Sequence, residues 1–252
     1  MRTWMIAAAA TLALLGALVS TTQAAEIVVY LNQATESGVK ELASAFEKAT
    51  GNKVNVSFQA GPNLNRVINE GATGDVTSLG LQQFDEFVKT GKVVNGSVVE
   101  YARVGNGVAV RSGAPKPDIS TPEAFKQAML NAKSIGHTNA GTGPFNTRLF
   151  QKLGIYDQIK SKITIVEGRL VAAAVAAGDI EIGIQQTNVI QPYPGSEYLG
   201  PLPAELMEYG RVGAGVLTAS KQPEVAAAFI KFMADPTNAP LLRKAAMEPP
   251  AR

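Results

Sequence analysis

Small and polar side chains follow an apolar run near the start of this 252-residue chain, where they could bind an anion. Residues 27–31 are apolar or β-branched, residues 32–38 form a short polar link, and residues 39–50 carry a helical pattern. Backbone N–H groups at a helix start hold a partial positive charge and are ready anion donors. An ordinary turn is the alternative reading, since asparagine favours turns. The candidate ligand contacts in this segment are the side chains of Asn32 and Gln33, the backbone N–H groups of Ala34 and Thr35, and the Thr35 hydroxyl.

Three later loops have the same character, at residues 59–63, 138–144 and 185–188. Glycine and threonine dominate the second of them, and small residues let backbone N–H groups approach an anion closely. A flexible surface turn is the alternative for that loop. It lacks the lysine and the spacing of a phosphate-binding P-loop, so no nucleotide site is expected. These loops add the candidate ligand residues Gly61, Asn63, Thr142, Gly143 and Gln186.

Two arginines and one histidine could add charge or proton transfer. Arg148 and Arg169 lie early in predicted helices, and a guanidinium can hold a carboxylate through two hydrogen bonds. Most arginines are simply solvated, and those near the predicted crossings, Arg103, Arg111 and Arg211, are weaker candidates. His137 is the single histidine; imidazole can exchange protons near neutral pH, although a structural role is the alternative.

The inventory of reactive groups excludes several other kinds of site. With one histidine and no cysteine, the chain supplies no metal-binding pattern and no thiol chemistry. No hydrolase triad can be assembled around the histidine, because no serine motif accompanies it. We therefore expect neither a metal nor a cofactor.

Apolar periodicity predicts the elements that must position the candidate residues. The first helix carries an apolar stripe at Val39, Leu42, Ala43 and Phe46, and Gly51 ends it. Further strands at 54–58 and 75–79, each followed by a helical pattern, complete three strand–loop–helix units. Such units predict a mostly parallel sheet with right-handed crossovers, in which ligands bind beyond the carboxyl ends of the strands.

The second half repeats this pattern after a glycine-broken interval at 98–110. Strands are predicted at 134–137, 162–166 and 180–184, a return strand at 209–217, and a last helix from Pro223. The chain is therefore predicted to be an α/β protein of two lobes with two crossings, near 100–107 and 205–212. Its lobes are predicted to span 25–105 with 207–252, and 106–206. The loops at 32–36, 60–63, 138–144 and 185–188 should converge on one cleft.

The first 24 residues are typical of a secretory signal peptide. Arg2 precedes an apolar run at 4–19, and the small residues Thr22 and Ala24 predict cleavage after Ala24. The run is short for a membrane span, and an uncleaved anchor is the alternative. The 23 basic and 21 acidic residues form no block of like charge, so no nucleic-acid partner is expected. We expect a periplasmic monomer.

Five stretches, in this order and spacing, resemble the periplasmic substrate-binding proteins of ABC importers, and more narrowly the molybdate-binding protein family. They are residues 45–51, 56–58, 66–72, 152–155 and 178–183. The resemblance covers nearly the whole chain after the predicted signal peptide. It implies a two-lobed binding-protein fold, a small anionic ligand and an ABC permease of the inner membrane as partner.

A second resemblance joins residues 183–186 and 194–205 to a divergent branch of that family, one that is similar to aconitate isomerase. It implies an alternative function, an allylic proton shift on a tricarboxylate. Such a reaction needs a base, an arginine for the carboxylates and exclusion of water. His137 is the candidate base in this reading.

Three positions depart from the molybdate-binding pattern. Ala34 stands where that family has a serine, the loop at 59–63 lacks the usual serines, and Gln186 replaces a tyrosine. Hydroxyl donors suit a compact oxyanion, whereas long amides reach towards a larger ligand. The sequence therefore predicts weak molybdate binding and measurable binding of an organic carboxylate, although backbone N–H groups could compensate for the lost hydroxyls.

Overall fold

The computed structural model describes residues 24–59, 61–71, 73–139, 142–191 and 193–251. Apart from Ala24, the predicted signal peptide lies outside these residues. Within the described ranges, no helix has the length and apolar character needed to cross a membrane.

Ten strands form two separate sheets in the described residues. The first sheet has the strand order β2-β1-β3-β10-β4 and the second has β7-β6-β8-β5-β9. The strands are β1 (Glu26–Leu31), β2 (Lys53–Phe58), β3 (Val76–Gly80), β4 (Val99–Val104), β5 (Asn106–Arg111), β6 (Ile135–His137), β7 (Ile163–Ile165), β8 (Ile182–Gln186), β9 (Ser196–Pro201) and β10 (Gly210–Val216).

Helices flank both sheets and supply the connections between parallel strands. The helices of the described residues are α1 (Gln33–Thr50), α2 (Gly61–Asn69), α3 (Phe84–Lys89), α4 (Pro122–Asn131), α5 (Thr142–Lys152), α6 (Tyr156–Ile159), α7 (Val171–Ala177), α8 (Thr187–Ile190), α9 (Pro223–Met233) and α10 (Ala239–Lys244).

The two sheets share one pairing pattern. In the first, β1 lies parallel to β2 and β3, and β10 runs antiparallel between β3 and β4. In the second, β6 lies parallel to β7 and β8, and β5 runs antiparallel between β8 and β9. The chain passes from the first sheet to the second at Gly105 and returns through residues 202–209. This topology confirms the predicted α/β fold of two lobes with two crossings. The sheets are mixed and not mostly parallel as predicted, because two of the four strand pairings in each are antiparallel.

Each lobe has its own apolar core. In lobe 1, the stripe predicted for α1 is buried, and Phe46 packs against Phe229 of α9 with ring centroids 5.1 Å apart. In lobe 2, Phe125 of α4 and Phe150 of α5 are fully buried beside Ile184 of β8. The separate cores let each lobe pack independently of the cleft between them.

Three local predictions need correction. The polar link expected at 32–38 is one residue long, because Asn32 caps α1 and residues from 33 onward are helical. The strand β9 was not predicted; its glycine and proline are poor strand formers, and antiparallel pairing with β5 outweighs that preference. The helix from Pro223 is not the last, since α10 follows it.

Asp75 is a buried carboxylate that joins distant parts of lobe 1. It is 5% exposed. One oxygen accepts the Val28 N–H of β1 at 2.9 Å. The other accepts the Ser220 hydroxyl at 2.7 Å and the N–H groups of Lys221 and Gln222 at 3.1 and 3.2 Å. One side chain therefore ties β1 to the turn that precedes α9.

We predict that Asp75→Ala lowers the free energy of unfolding by about 3 kcal/mol or more, because several buried donors lose a charged acceptor. Urea denaturation measures this change. Asp157→Ala is the matched control, since that carboxylate is 87% exposed and pairs only with Lys160 on the surface. The control should cost less than about 1 kcal/mol. Equal losses in the two variants would contradict the role given to Asp75.

Candidate functional site

A cleft of about 280 Å³ lies between the two lobes, and both lobes and both crossings line it. Its walls come from the start of α1, the end of β3, the start of α5 and the end of β8. The second crossing closes one side with residues 208–212. Converging donors from four strand–helix junctions make this cleft the natural place for a polar ligand.

Four of the residues predicted to bind ligand line this cleft. They are Ala34 of lobe 1 and Thr142, Arg148 and Gln186 of lobe 2. Three of the four predicted loops therefore meet there. In the fourth loop, at 60–63, Ala60 lies outside the described residues, and Asn63 does not line the cavity.

Asn32 and Thr35, both predicted to contact the ligand, make hydrogen bonds within the fold. The Asn32 side chain accepts the Ala34 N–H at 3.1 Å as a helix cap. Thr35 is fully buried, and its hydroxyl donates towards the carbonyl oxygens of Asn32 and Ser78, each 3.2 Å away. The Ser78 hydroxyl in turn bonds to the buried Tyr101 hydroxyl at 2.9 Å. Burial raises the pKa of Tyr101, so its phenol stays protonated.

The other predicted contacts also lie outside the cavity lining. Gln33 is exposed. The Asn63 amide donates to the Gln59 side chain at 2.6 Å, and Gly61 begins α2. Arg169 donates to Asp179 at 2.6 Å on the surface. Surface partners of the same lobe thus take up two side chains that the sequence suggested for the ligand.

The structure adds lining residues that sequence reasoning missed. Gly80 ends β3 and Gln82 follows it, and β3 lies beside β1. Neighbouring parallel strands end at the same edge of a sheet. The argument that placed the residues after β1 near the ligand therefore applied equally to the loop after β3. The other missed residues are Phe145 of α5 and, from the crossings, Val104, Asn106, Glu208, Tyr209, Gly210 and Val212. Arg211, a weaker candidate from the sequence, also lines the cavity.

Two arginine–carboxylate pairs set the electrostatics of the cleft. Arg148 Nη2 lies 3.5 Å from a Glu208 carboxylate oxygen. Arg211 donates to one oxygen of Glu100 through Nε at 2.8 Å and Nη2 at 2.5 Å. These hydrogen bonds, and the charge of Glu100, raise the pKa of Arg211. Arg148, Arg211 and Glu208 all line the cavity, so it contains fixed charges of both signs.

The short helix α8 bridges the lobes beside the cleft. Asn188 donates to the Ala34 carbonyl at 2.9 Å and to the Ser37 hydroxyl at 3.3 Å. The Thr187 hydroxyl donates to the Ala246 carbonyl at 2.9 Å. Ala34, Ser37 and Ala246 belong to lobe 1, so these bonds tie the start of α1 to the lobe that carries Arg148.

His137 lies behind the cleft and does not line it. It is 2% exposed, and its Nδ1 donates to the Thr138 carbonyl at 2.8 Å. Its Nε2 has no hydrogen-bond partner among the described residues. The amide nitrogen and the amide oxygen of the fully buried Asn146 also lack hydrogen-bond partners among the described residues. The structure therefore places the candidate base within lobe 2, under the loop that leads to α5.

Gly143 allows the first turn of α5 to pack tightly against Thr138 and His137. A β-carbon at Gly143 would lie 2.0 Å from the Thr138 carbonyl oxygen and 3.4 Å from His137 Nδ1. Gly143 is buried, whereas its neighbour Thr142 lines the cleft. Gly143, which was predicted as a ligand contact, thus permits the tight backbone conformation that places Thr142 at the cleft.

Similarity to known proteins supports the assignment of this fold. The model of the family described as bacterial extracellular solute-binding protein matches residues 27–248. An aconitate isomerase from a Pseudomonas species is 30% identical over 255 residues, covering 95% of this chain and 96% of the relative. The molybdate-binding protein ModA of Azotobacter vinelandii is 31% identical over 232 residues, covering 88% of this chain and 89% of the relative.

A solved structure agrees at the level of the fold. The periplasmic molybdate-binding protein of Azotobacter vinelandii matches with a TM-score of 0.70 at 19% identity. The match covers 89% of this chain and 100% of that chain. Its two-lobed architecture is the one described above.

We predict that Gly143→Ala displaces the loop before α5 and destabilises the protein by about 1–3 kcal/mol, because the new methyl group overlaps a carbonyl oxygen. Hydrogen exchange should rise in the first turns of α5, and thermal unfolding should shift down. Gly210→Ala is the control within the same cleft, since its nearest neighbour would be 3.7 Å away. Unchanged exchange in Gly143→Ala would refute the steric argument.

Proposed function

The chain belongs to the family of bacterial extracellular solute-binding proteins, and we propose that it binds a small organic carboxylate in the cleft between its lobes. The observation that carries this proposal is the lining of that cleft by Arg148 and Arg211 together with the amides of Gln82 and Gln186. Guanidinium groups recognise carboxylates through paired hydrogen bonds, and amides orient the remaining oxygens.

The geometry of Arg148 suits direct contact with such a ligand. Its side chain is 62% exposed and stands on α5, the helix whose first turn also presents Thr142 to the cavity. Gln186 ends β8 on the same lobe, and Ala34 faces it from lobe 1. A ligand held by both lobes stabilises their closed arrangement, because only that arrangement makes both sets of contacts.

Several features favour an organic acid over a compact oxyanion. Ala34 offers no hydroxyl, and the Thr35 hydroxyl is engaged with backbone carbonyls. Gln82 and Gln186, which line the cavity, have long amide side chains. A volume of about 280 Å³ is near the lower end for sites that take small organic molecules.

We further propose that the protein works in the periplasm and delivers its ligand to an ABC permease of the inner membrane. The N-terminal segment typical of a signal peptide supports the location. The family supports the role in uptake. Cleavage after Ala24 and a monomeric state belong to the same proposal.

Isothermal titration with citrate, cis-aconitate, trans-aconitate, molybdate and sulfate tests the ligand class. We expect at least one of the organic acids to bind and molybdate to bind weakly or not at all. Arg148→Ala should weaken the organic acid by about tenfold or more, from loss of a charge-assisted pair, and Gln186→Ala should weaken it less. A ligand at one hundred times its dissociation constant should also stabilise the fold by about 2.7 kcal/mol.

Arg169→Ala is the matched control for this experiment. It removes the same charge from an exposed arginine outside the cavity lining, where Asp179 is its partner. Its affinity should equal that of the wild type. Tight molybdate binding that neither Arg148→Ala nor Gln186→Ala changes would overturn the proposal.

A second candidate function is isomerisation of a tricarboxylate. The aconitate isomerase of similar length, 30% identical over nearly all of both chains, favours it. The reaction removes a proton from a methylene next to a carboxylate and returns one at the far end of the allylic system. His137 does not line the cleft, whereas Glu208 and Tyr209 do, so the groups able to exchange a proton with a bound ligand differ from the one that the sequence suggested.

Incubation of the protein with trans-aconitate in D₂O, followed by proton NMR, separates the two functions. An isomerase should produce cis-aconitate and incorporate deuterium from solvent during the proton shift. A binding protein should leave both the isomer and its hydrogen content unchanged. Deuterated cis-aconitate would make the isomerase the better assignment, and its absence would leave the binding function.

A further inference from the structure

The two arginine–carboxylate pairs at the cleft differ in how firmly they are held. Arg211 makes two hydrogen bonds to Glu100, whose side chain is only 17% exposed. Arg148 and Glu208 approach only to 3.5 Å, with side chains 62% and 67% exposed. The first pair has the geometry of a fixed charge-assisted contact, whereas the second is a loose, solvated pair that another anion can break.

The backbone that carries Glu208 is nevertheless anchored on both sides. Before it, the Met207 sulfur accepts the Asn106 N–H at 3.3 Å. After it, the Tyr209 ring lies under the Arg103 guanidinium, 5.0 Å from ring centroid to Cζ. Glu208 therefore stays at the edge of the cleft, and only its side chain is free to swing towards or away from Arg148.

We propose that Glu208 competes with the ligand for Arg148 and thereby selects ligands that carry more than one negative group. The formal charges of Arg148, Arg211, Glu100 and Glu208 sum to zero, so the cleft has little general attraction for anions. A ligand carboxylate that binds Arg148 breaks the Arg148–Glu208 ion pair as it forms a new one, so the number of ion pairs does not change. A net gain requires further anionic groups that reach other donors of the cleft.

This inference rests on the proposed binding of an anionic ligand. It adds Glu208 as the residue that lowers the affinity for every ligand that must displace it from Arg148. It assigns to Glu208 a role opposite in sign to that of Arg148. Removing the carboxylate should improve binding, whereas removal of an ordinary ligand contact would weaken it. That difference in sign makes the proposal separable from a merely structural role.

Glu208→Gln and Glu208→Ala should each bind citrate about two- to fivefold more tightly than the wild type, as expected when an exposed ion pair no longer competes. Titration calorimetry at fixed ionic strength measures the gain. Glu205→Gln is the matched control, because Glu205 is an exposed carboxylate of the same crossing that does not line the cavity. It should leave the affinity unchanged.

A double-mutant cycle with Arg148→Ala tests whether the effect passes through Arg148. In the Arg148→Ala background, Glu208→Gln should give no gain, because there is no guanidinium left to release. The relative gain in the wild-type background should be similar for acetate and citrate, because both must displace the same carboxylate from Arg148. An equal gain from Glu205→Gln, or a full gain without Arg148, would show a general charge effect and overturn the proposal.

The failure of this inference differs from the failure of the proposed function. If the wild type binds an organic acid and Glu208→Gln does not tighten it, the competition is refuted and the binding function stands. If neither the wild type nor Glu208→Gln binds any anion of the panel, the proposed function fails and the competition falls with it. Thermal unfolding of each variant shows whether it is folded.

Discussion

The single-residue crossing at Gly105 is the constraint on which the arrangement of the cleft depends. β4 ends at Val104 and β5 begins at Asn106, so the two sheets are joined with almost no slack. A β-carbon at Gly105 would lie 2.8 Å from the Met207 sulfur, which is why the second crossing can pack directly against the first. The Thr187 N–H also donates to the Gly105 carbonyl at 3.0 Å. The strand ends that carry polar residues therefore face each other across a short gap.

The cleft combines this fixed backbone with loosely held charge. Beneath its lobe 1 wall, the Thr35 hydroxyl donates to the Ser78 carbonyl and the Ser78 hydroxyl bonds to the Tyr101 hydroxyl, so Ser78 links the start of α1 to β4. Buried hydrogen bonds of this kind rigidify a wall, since leaving any of them unpaired would cost free energy. The charged side chains above it are mostly exposed and keep their rotamer freedom. Specificity can then depend on which ions pair, while the shape of the wall stays constant.

The sequence predicted the architecture well and the cleft in part, and the reason differs for the two. Strand and helix periodicity is a local signal, so the two α/β lobes, their crossings and the stripe of α1 could be read directly. Ala34, Thr142 and Gln186 were also accessible, because each lies at a strand–helix junction. The lining by residues 208–212 was not, since it depends on how the second crossing folds back between the lobes. The β9 strand was missed for the same reason, as its pairing with β5 is a tertiary effect.

The side chains that changed role share a physical cause. Asn32, Thr35 and Asn63 were expected to meet the ligand, yet each has an internal partner in lobe 1. Short polar side chains at helix starts pair first with nearby groups of the same lobe, because those partners require no further ordering of the chain. The partners are backbone groups for Asn32 and Thr35 and the Gln59 side chain for Asn63. Arg148, in the middle of α5, and Gln186, at the end of β8, have long side chains and line the cavity, so they reach past local acceptors. Length and direction, more than polarity, thus decide which polar residues of a strand–helix junction are available to a ligand, and this favours Arg148 and Gln186 over the loop residues as the determinants of what binds.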